Sequence, residues 1–171
     1  MRKLADLPTK GRLLDVGGGT GRVTLGLRAD VDEIVIADVS LGMLRQSASL
    51  SRRFDTFAQH RLQAVCGYSE ALPFPDASFE RVIMVDALHH VINHAESARE
   101  MFRVLKPAGR IVIQEPDIQT FGVKLIALAE KLLLMRSHFL DANSIAALFP
   151  NAKTNILLQD SSAWVIAEKN F

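Results

Sequence analysis

The sequence predicts an α/β fold, a mostly parallel sheet with helices on both faces. Short runs rich in valine, isoleucine and leucine alternate with helix-patterned segments from end to end, and no repeat or linker interrupts them. Near the end of the chain, only Asp160 and Ser161 separate two such β runs. This spacing leaves room for a hairpin but not for a crossover helix, so we expect an antiparallel last strand.

Seven runs are predicted as strands. They are Arg12–Val16, Glu33–Ala37, Arg61–Cys66, Glu80–Val85, Arg110–Gln114, Thr154–Gln159 and Ser162–Glu168. The first five are dominated by valine, isoleucine and leucine, as is typical of strands that are covered on both faces. Trp164 lies on the seventh run, and we expect it to pack against a flanking helix and to take no part in chemistry.

Helix starts are predicted where a capping side chain precedes an apolar periodic segment. The predicted helices follow Ser40 as far as about Arg53, follow Asn93 until Pro107, and follow Asp141 until Pro150. The segment Phe121–Met135 is apolar on a wide face but too short to span a bilayer. We leave open whether it is a core helix or the apolar wall of a pocket.

Length and composition indicate a single domain over residues 1–171, with few residues before the first predicted strand. Hydrophobic residues make up 49% and charged residues 23%, which excludes a disordered or fibrous chain. The formal net charge is +1, so we expect no nucleic-acid partner. Because the sequence has no signal-peptide pattern and no apolar run near about 18 residues, we expect a cytoplasmic protein without a transmembrane segment.

The chain contains one cysteine, Cys66, which excludes an intramolecular disulfide and is consistent with a reducing compartment. Its position on a predicted strand indicates a small, buried, apolar residue. No metal ion is predicted.

The most informative segment is a glycine-rich turn that follows the first strand. After Asp15 and Val16 come glycines at positions 17, 18, 19 and 21, and then a helical segment through Val23 and Leu27. Glycine permits a tight turn and a close approach to a ligand, and a helix start behind it presents free N–H groups. The alternative is a tight strand-to-helix turn that binds nothing.

The spacing of these glycines does not match a dinucleotide site. The pattern G-x-G-x-x-G fails because its third glycine would be Arg22 or Thr24. The remaining pattern, G-x-G-x-G, follows Asp15, and a carboxylate there suits an ammonium or sulfonium ligand better than a pyrophosphate.

Asp38 ends the second predicted strand at about the distance from the glycines where a carboxylate accepts hydrogen bonds from ribose hydroxyls. Its two oxygens match two adjacent hydroxyls. The alternative is that Asp38 only caps the next turn.

Five ordered segments resemble class I S-adenosylmethionine-dependent methyltransferases, of the small quinone-biosynthesis-like branch (type 11 methyltransferase domain). They are Asp15–Gly21, Asp38–Leu44, Glu70–Glu80, Ala87–Val91 and Arg103–Gly109. The resemblance extends over nearly the whole chain from about residue 11. It implies a Rossmann-like, doubly wound sheet of seven strands, mostly parallel with an antiparallel last strand. It also implies S-adenosylmethionine as cofactor and S-adenosylhomocysteine as product.

The resemblance assigns the cofactor contacts position by position. The glycines would wrap the methionine part, with Asp15 near its amino end, while Asp38 would hold the ribose and Val39 and Met43 would flank the adenine. The full predicted set is Asp15, Gly17, Gly18, Gly19, Gly21, Asp38, Val39, Met43, Tyr68, Ser69, Glu70 and Asp86.

Three features depart from the family pattern. Tyr68 replaces an aspartate that usually meets the adenine edge, so Ser69, a backbone group or stacking by Tyr68 would substitute. Ala108 replaces a glycine, which we expect to be tolerated because Gly109 is kept. Only sixteen residues precede Gly17, where the family has a covering helical segment. The acceptor pocket is then open, or is closed by Phe121–Met135 or by a second subunit in a homodimer.

Methyl transfer needs mainly in-line positioning and exclusion of water, and it needs a base only when the acceptor must lose a proton. His89 and His90 follow the fourth strand, where an acceptor would approach, and are the candidate catalytic residues. The alternative is that one histidine packs under the following helix and the other is solvated. Glu115, after the fifth strand, is a further candidate at the pocket rim.

Three functions remain open from the sequence. The first is methyl transfer to a small, partly apolar acceptor; the second is a partner or cofactor-binding protein that has lost transfer activity; and the third is a nicotinamide-dependent oxidoreductase. The missing third glycine and the terminal hairpin count against the third.

Overall fold

The structure, a computed structural model, describes residues 1–54, 61–118 and 138–170. Its strands are β1 Arg12–Val16, β2 Glu33–Asp38, β3 Arg61–Cys66, β4 Phe79–Val85, β5 Leu105–Pro116, β6 Ala152–Gln159 and β7 Ser162–Lys169. The α-helices in the described ranges are α1 Leu41–Phe54, α2 His94–Val104 and α3 Ala142–Ala147. Two 3-10 helices, Thr24–Asp30 and Leu88–His90, follow β1 and β4.

The seven strands form one sheet in the order β3-β2-β1-β4-β5-β7-β6. The strands β1 to β5 pair in parallel, whereas β7 is antiparallel to both β5 and β6. Asp160 and Ser161, which connect β6 to β7, have φ angles of 51° and 61°. Positive φ at both residues is what a tight hairpin needs to follow the twist of its strands. The predicted sheet and its antiparallel last strand are therefore confirmed.

Apolar side chains cover both faces of this sheet. On one face, residues of α2 and α3 such as Met101 and Ile145 pack against Leu14 and Val82. On the other, Leu27 and Leu44 pack against Leu13, Ile34 and Ile83. Because consecutive residues of a strand point to opposite faces, Leu13 and Leu14 belong to the two separate clusters.

The predicted helix caps are present. The Asn93 side chain accepts a hydrogen bond from the Glu96 N–H at 3.1 Å, and Asp141 accepts one from the Ser144 N–H at 2.7 Å. The Ser40 hydroxyl accepts a longer one, 3.4 Å, from the Met43 N–H. These bonds satisfy N–H groups that the first helical turn leaves without partners.

The segment after the glycine turn differs from the prediction. It is a 3-10 helix, Thr24–Asp30, and not the start of an α-helix. The reason is local: Thr24 and Gly26 are poor α-helix formers, and β2 begins three residues after Asp30, which leaves little length for a longer helix.

The prediction of a buried cysteine was wrong. Cys66 is exposed, because it ends β3, which lies at the edge of the sheet. Trp164 lies on β7 as expected and is half-buried against the Leu13 face. The segment Phe121–Met135 lies outside the described residues.

The first residues of the chain pack near the amino ends of β4 and β5. Ala5 is fully buried, and its carbonyl oxygen accepts a hydrogen bond from Arg81 Nε at 2.6 Å. The carbonyl of Leu4 accepts one from the Arg110 guanidinium at 3.0 Å. This segment therefore lies at the end of the sheet opposite to the glycine turn.

The turn at the start of β5 carries a strained alanine. Ala108 has a φ of 59°, in the left-handed region that favours glycine. At Gly109, an added Cβ would lie 2.7 Å from both the Lys106 carbonyl oxygen and the Leu105 side chain. Position 108 therefore holds a side chain although its backbone angle favours glycine, whereas position 109 has no space for a side chain.

We expect Ala108→Gly to leave the free energy of unfolding unchanged or to raise it by up to about 1 kcal/mol, because the relieved strain slightly exceeds the added chain entropy. Gly109→Ala should lower it by about 1–3 kcal/mol, because the methyl group meets backbone that cannot move away. Urea unfolding of both variants checks this. Equal destabilisation by the two substitutions would contradict it.

Candidate functional site

Two adjoining cavities open at the carboxyl ends of β1, β2 and β4, where open α/β sheets bind their ligands. The larger, of about 590 Å³, is lined by Val16, Gly17, Ala37, Asp38, Val39, Ser40, Met43, Gly67, Tyr68, Ser69, Glu70, Met84, Asp86, Ala87, His90, Val91 and Ile92. The smaller, of about 210 Å³, is lined by Asp15, Gly17, Gly18, Gly19, Thr20, Arg22, Val23, Met43, Val85 and Asp86. Three residues, Gly17, Met43 and Asp86, line both cavities, so a single extended ligand can occupy them together.

The glycine turn forms the boundary between the two cavities. The Gly17 N–H donates to the Ala37 carbonyl oxygen at 2.7 Å, and Gly17 has a φ of 68°. A Cβ at this position would lie 2.6 Å from the Cβ of Ala87. Glycine is therefore required both by the backbone conformation and by the close approach of the loop after β4.

Gly21 has a different role from the other predicted glycines. It lines neither cavity; its φ is 77°, and a Cβ there would lie 2.9 Å from Ile36 Cδ1. Its N–H donates to the Gly18 carbonyl oxygen at 2.8 Å. Gly21 thus closes the turn and packs it on the sheet.

Asp38 connects the glycine turn to the next helix. One carboxylate oxygen accepts from the Gly19 N–H at 2.9 Å and the other from the Ser40 N–H at 2.7 Å. Asp38 is 9% exposed and lines the large cavity. Each oxygen of a carboxylate accepts two hydrogen bonds, so both retain an acceptor site for a ligand diol. Asp38 caps the turn, and it remains able to bind.

Asp15 is the most perturbed carboxyl group of the site. It is 2% exposed, and its side chain accepts a hydrogen bond from the Thr24 hydroxyl. Burial and the nearby charge of Asp38 raise the pKa of Asp15 to about 8, while Arg22 opposes the shift. A cationic ligand group would relieve both unfavourable effects, because it favours the carboxylate form.

The mouth of the large cavity is apolar and exposed. Val39 is 58%, Met43 49% and Tyr68 66% exposed, and all three line the cavity. Exposed large apolar side chains grouped around a concave surface are typical of a ligand site. This grouping fits an aromatic ring held between Val39, Met43 and Tyr68.

Glu70 also lines the large cavity, and its carboxylate has two hydrogen-bond partners. It accepts hydrogen bonds from the Ser69 hydroxyl at 3.0 Å and from the Asn93 N–H at 3.3 Å. Burial by itself would raise the pKa of Glu70, but hydrogen bonds from backbone groups and from Ser69 lower it overall. Glu70 therefore stays ionised and connects the cavity to the start of α2.

The structure separates the two candidate histidines. His90 is exposed and lines the large cavity, whereas His89 is 8% exposed and lines neither cavity. His89 Nδ1 lies 2.6 Å from Glu115 Oε2, and its ring stacks on Phe139 with the centroids 4.7 Å apart. The backbone N–H of His138 donates to the His89 carbonyl oxygen at 2.8 Å.

Glu115 is buried and is not at the pocket rim, where the sequence placed it. It is 3% exposed, and its second oxygen accepts from the N–H groups of Ala87 and Leu88 at 2.9 and 2.7 Å. Together with the His89 contact, this carboxylate holds the loop that carries His90 to the cavity.

Sequence reasoning missed several cavity residues. Val91 and Ile92 line the large cavity, and Arg22 lines the small one. Their position after the first and fourth strands was the available signal, since the loops at the carboxyl ends of neighbouring strands meet. In the described part of the chain, no cluster of His, Cys, Asp and Glu could hold a metal ion, and no helix is long and apolar enough to cross a membrane.

Solved structures with the same fold are numerous. The YcgJ protein from Bacillus subtilis matches with a TM-score of 0.81 and 18% identity, covering 99% of this chain and 96% of that one. A putative methyltransferase from Bacillus halodurans C-125 matches with a TM-score of 0.82 and 17% identity at the same coverage. At these identities the likeness concerns the fold alone.

Curated relatives are more similar in sequence over a shorter stretch. A ubiquinone/menaquinone biosynthesis C-methyltransferase from Pseudomonas savastanoi pv. phaseolicola is 34% identical over 116 residues, which is 66% of this chain and 44% of the relative. Its namesake from Yersinia enterocolitica is 37% identical over 107 residues, 61% of this chain and 42% of the relative. The chain thus spans less than half the length of these relatives.

A family model described as a methyltransferase domain matches residues 14–113. This stretch contains most of β1, all of β2, β3 and β4, most of β5, and all the residues that line the two cavities. Since the match covers more than half of the chain, the chain belongs to the methyltransferase domain family.

Proposed function

We propose that this chain transfers a methyl group from S-adenosylmethionine to a small, partly apolar acceptor, with S-adenosylhomocysteine as product. The position of Asp38 is the observation that carries the proposal. Asp38 lines the large cavity, and its carboxylate accepts a hydrogen bond from Gly19, which lines the small cavity. A ribose diol at Asp38 would therefore place a nucleoside on one side and a charged tail on the other.

The large cavity takes the adenosine in this proposal. Asp38 accepts from the ribose hydroxyls, and Val39, Met43 and Tyr68 enclose the adenine ring, a mode that suits their exposed apolar surfaces. Tyr68 stacks in place of the aspartate contact that the family often uses, while Ser69 and Glu70 face the same cavity.

The small cavity takes the methionine part. Gly17, Gly18 and Gly19 allow close approach of the backbone, and Gly21 closes the turn behind them. Asp15 and Asp86 lie at this end, where carboxylates suit an ammonium and a sulfonium group. Eleven of the twelve residues named from the sequence line one or both cavities, which supports the proposal, while Gly21 lines neither.

His90, Val91 and Ile92 form the acceptor side of the large cavity. When bound, S-adenosylmethionine supplies the methyl group as an electrophile on its sulfonium sulfur. The protein orients the acceptor in line with that group and excludes water. His90, at the acceptor side, would take up a proton lost by the acceptor, or that proton would pass to solvent.

Two further observations support a partly apolar acceptor. Ile92, at the acceptor side, is 83% exposed although it is a large apolar side chain. The similar proteins from Pseudomonas and Yersinia are C-methyltransferases of ubiquinone and menaquinone biosynthesis by name, which favours a quinone-like ring as one acceptor to test.

The proposal is tested by calorimetric titration with S-adenosylhomocysteine, which we expect to bind, and with NAD, which we expect not to bind. Asp38→Ala should weaken S-adenosylhomocysteine binding about ten- to a hundredfold, because a charge-assisted acceptor is lost. Asp38→Asn, which keeps one acceptor oxygen, should weaken it less. Asp76→Asn is the control, because Asp76 lines neither cavity.

Heat from NAD without heat from S-adenosylhomocysteine would contradict the proposal. Unchanged affinity in Asp38→Ala would assign the ribose to another group. Binding of S-adenosylmethionine without transfer to any quinone-like acceptor would favour a cofactor-binding protein that has lost transfer activity.

We expect binding of S-adenosylhomocysteine to release a proton from Asp15. The unliganded protein holds this proton below the Asp15 pKa of about 8, and the ligand ammonium favours the carboxylate. Affinity should therefore rise with pH from about 6 to 7.5, by up to tenfold per pH unit. Titrations in buffers of different ionisation enthalpy measure the released proton. Asp15→Asn should abolish the release, and an unchanged release in this variant would contradict the assignment.

We expect Glu115→Leu to lower the free energy of unfolding by about 3–5 kcal/mol, because His89 and two backbone N–H groups lose their buried partner. Glu115→Gln, which keeps an acceptor for those N–H groups, should cost about 1–2 kcal/mol. Glu96→Gln, which loses only an exposed ion pair with Arg99, should cost less than about 0.5 kcal/mol. Urea unfolding measures all three. A loss in Glu115→Leu no larger than that in Glu96→Gln would show that Glu115 does not organise this loop.

A further inference from the structure

The small cavity combines two acids and one base. Asp15, Asp86 and Arg22 all line it. Among the described residues that line either cavity, Arg22 is the only lysine or arginine. A ligand with a cationic group alone would leave the guanidinium without a new partner, whereas a zwitterion matches both signs of charge.

Arg22 and Asp86, which both line this cavity, form a loose ion pair. Arg22 Nη2 lies 3.4 Å from Asp86 Oδ2, and the two side chains are 74% and 42% exposed. A solvent-exposed pair at this distance contributes little to stability. The free energy lost when ligand groups replace this contact between Arg22 and Asp86 is therefore small.

The backbone fixes both residues of the pair although their side chains are exposed. Arg22 follows Gly21, whose positive φ and close packing on Ile36 fix the turn. Asp86 has a φ of 51°, and its N–H donates to the Gln114 carbonyl oxygen at 3.0 Å. The backbone thus fixes where both residues lie at the small cavity, and their exposed side chains keep conformational freedom.

We propose that Arg22 binds the α-carboxylate of the cofactor's amino-acid end and makes the small cavity a receptor for a zwitterion. The inference rests on the proposed function and adds the group that selects the amino-acid end. On binding, the carboxylate replaces Asp86 at the guanidinium, whose fork matches two carboxylate oxygens. Asp86 and Asp15 then face the ligand ammonium. Arg22 is a specificity residue: it favours ligands that keep the carboxylate over nucleosides that lack it.

The experiment compares two probes, S-adenosylhomocysteine and 5′-methylthioadenosine. Both contain adenosine and a thioether, but the second has no amino-acid end. Titration calorimetry is carried out on the wild type, Arg22→Gln, Arg22→Lys and the control Arg45→Gln. Arg45 is an exposed arginine of α1 that lines neither cavity, so its variant has the same change of net charge.

We expect Arg22→Gln to weaken S-adenosylhomocysteine binding about tenfold and to leave 5′-methylthioadenosine binding within about twofold. Arg22→Lys keeps the charge but loses the fork, so it should weaken the first probe by roughly threefold. Arg45→Gln should change neither affinity. Added salt should reduce the preference for S-adenosylhomocysteine in the wild type more than in Arg22→Gln.

Equal affinities of the wild type and Arg22→Gln for S-adenosylhomocysteine would overturn this inference and leave the proposed function intact. Equal weakening of both probes would also overturn it, because it would indicate a distorted turn and not a lost carboxylate contact. A wild type that binds neither probe would overturn the proposed function together with the inference.

Discussion

The hydrogen bonds of the Asp38 carboxylate are the constraint on which the site depends. One side chain at the end of β2 holds Gly19 of the glycine turn and Ser40 at the start of α1. The turn after β1, the end of β2 and the first residues of α1 are thereby fixed to each other. Because this carboxylate keeps acceptor capacity towards the large cavity, the same residue organises the site and presents a binding group.

Glu115 plays the corresponding part for the other wall. Its carboxylate is buried at the end of β5 and holds three successive residues of the loop after β4. That loop brings His90 to the cavity and lets Ala87 approach Gly17 closely. Two carboxylates at the ends of β2 and β5 therefore fix the two loops that line the cavities.

The charged groups of the site differ in burial, and burial decides how strongly each of them responds to a ligand charge. Asp15 lies under the glycine turn, and its raised pKa reflects burial beside Asp38. Arg22 and Asp86 lie at the open end and are exposed. The ammonium of a zwitterionic ligand would favour the ionised form of the buried Asp15. Its carboxylate would replace Asp86 as the partner of the exposed Arg22.

Much of the site was predictable because its residues lie at strand ends, where position along the chain predicts position in space. Asp15 lies near the end of β1, the glycine turn follows it, and Asp38 ends β2; all of them line the cavities except Gly21, which closes the turn. The sequence could not distinguish His89 from His90, since the position after β4 does not show which of two adjacent side chains lines the cavity. It also placed Glu115 at the rim, although the N–H groups of the neighbouring loop and His89 hold that carboxylate inside.

By itself, the sequence determined the sheet, its antiparallel end and the helix caps, because these follow from local spacing and from the two-residue connection at Asp160. Tertiary structure alone decided which polar groups are buried. Cys66 is exposed because β3 is an edge strand, Glu115 is buried because the loop after β4 folds over it, and Arg22 faces Asp86 because β1 and β4 are neighbours. Each of these depends on contacts between residues distant in the chain, which no local pattern contains.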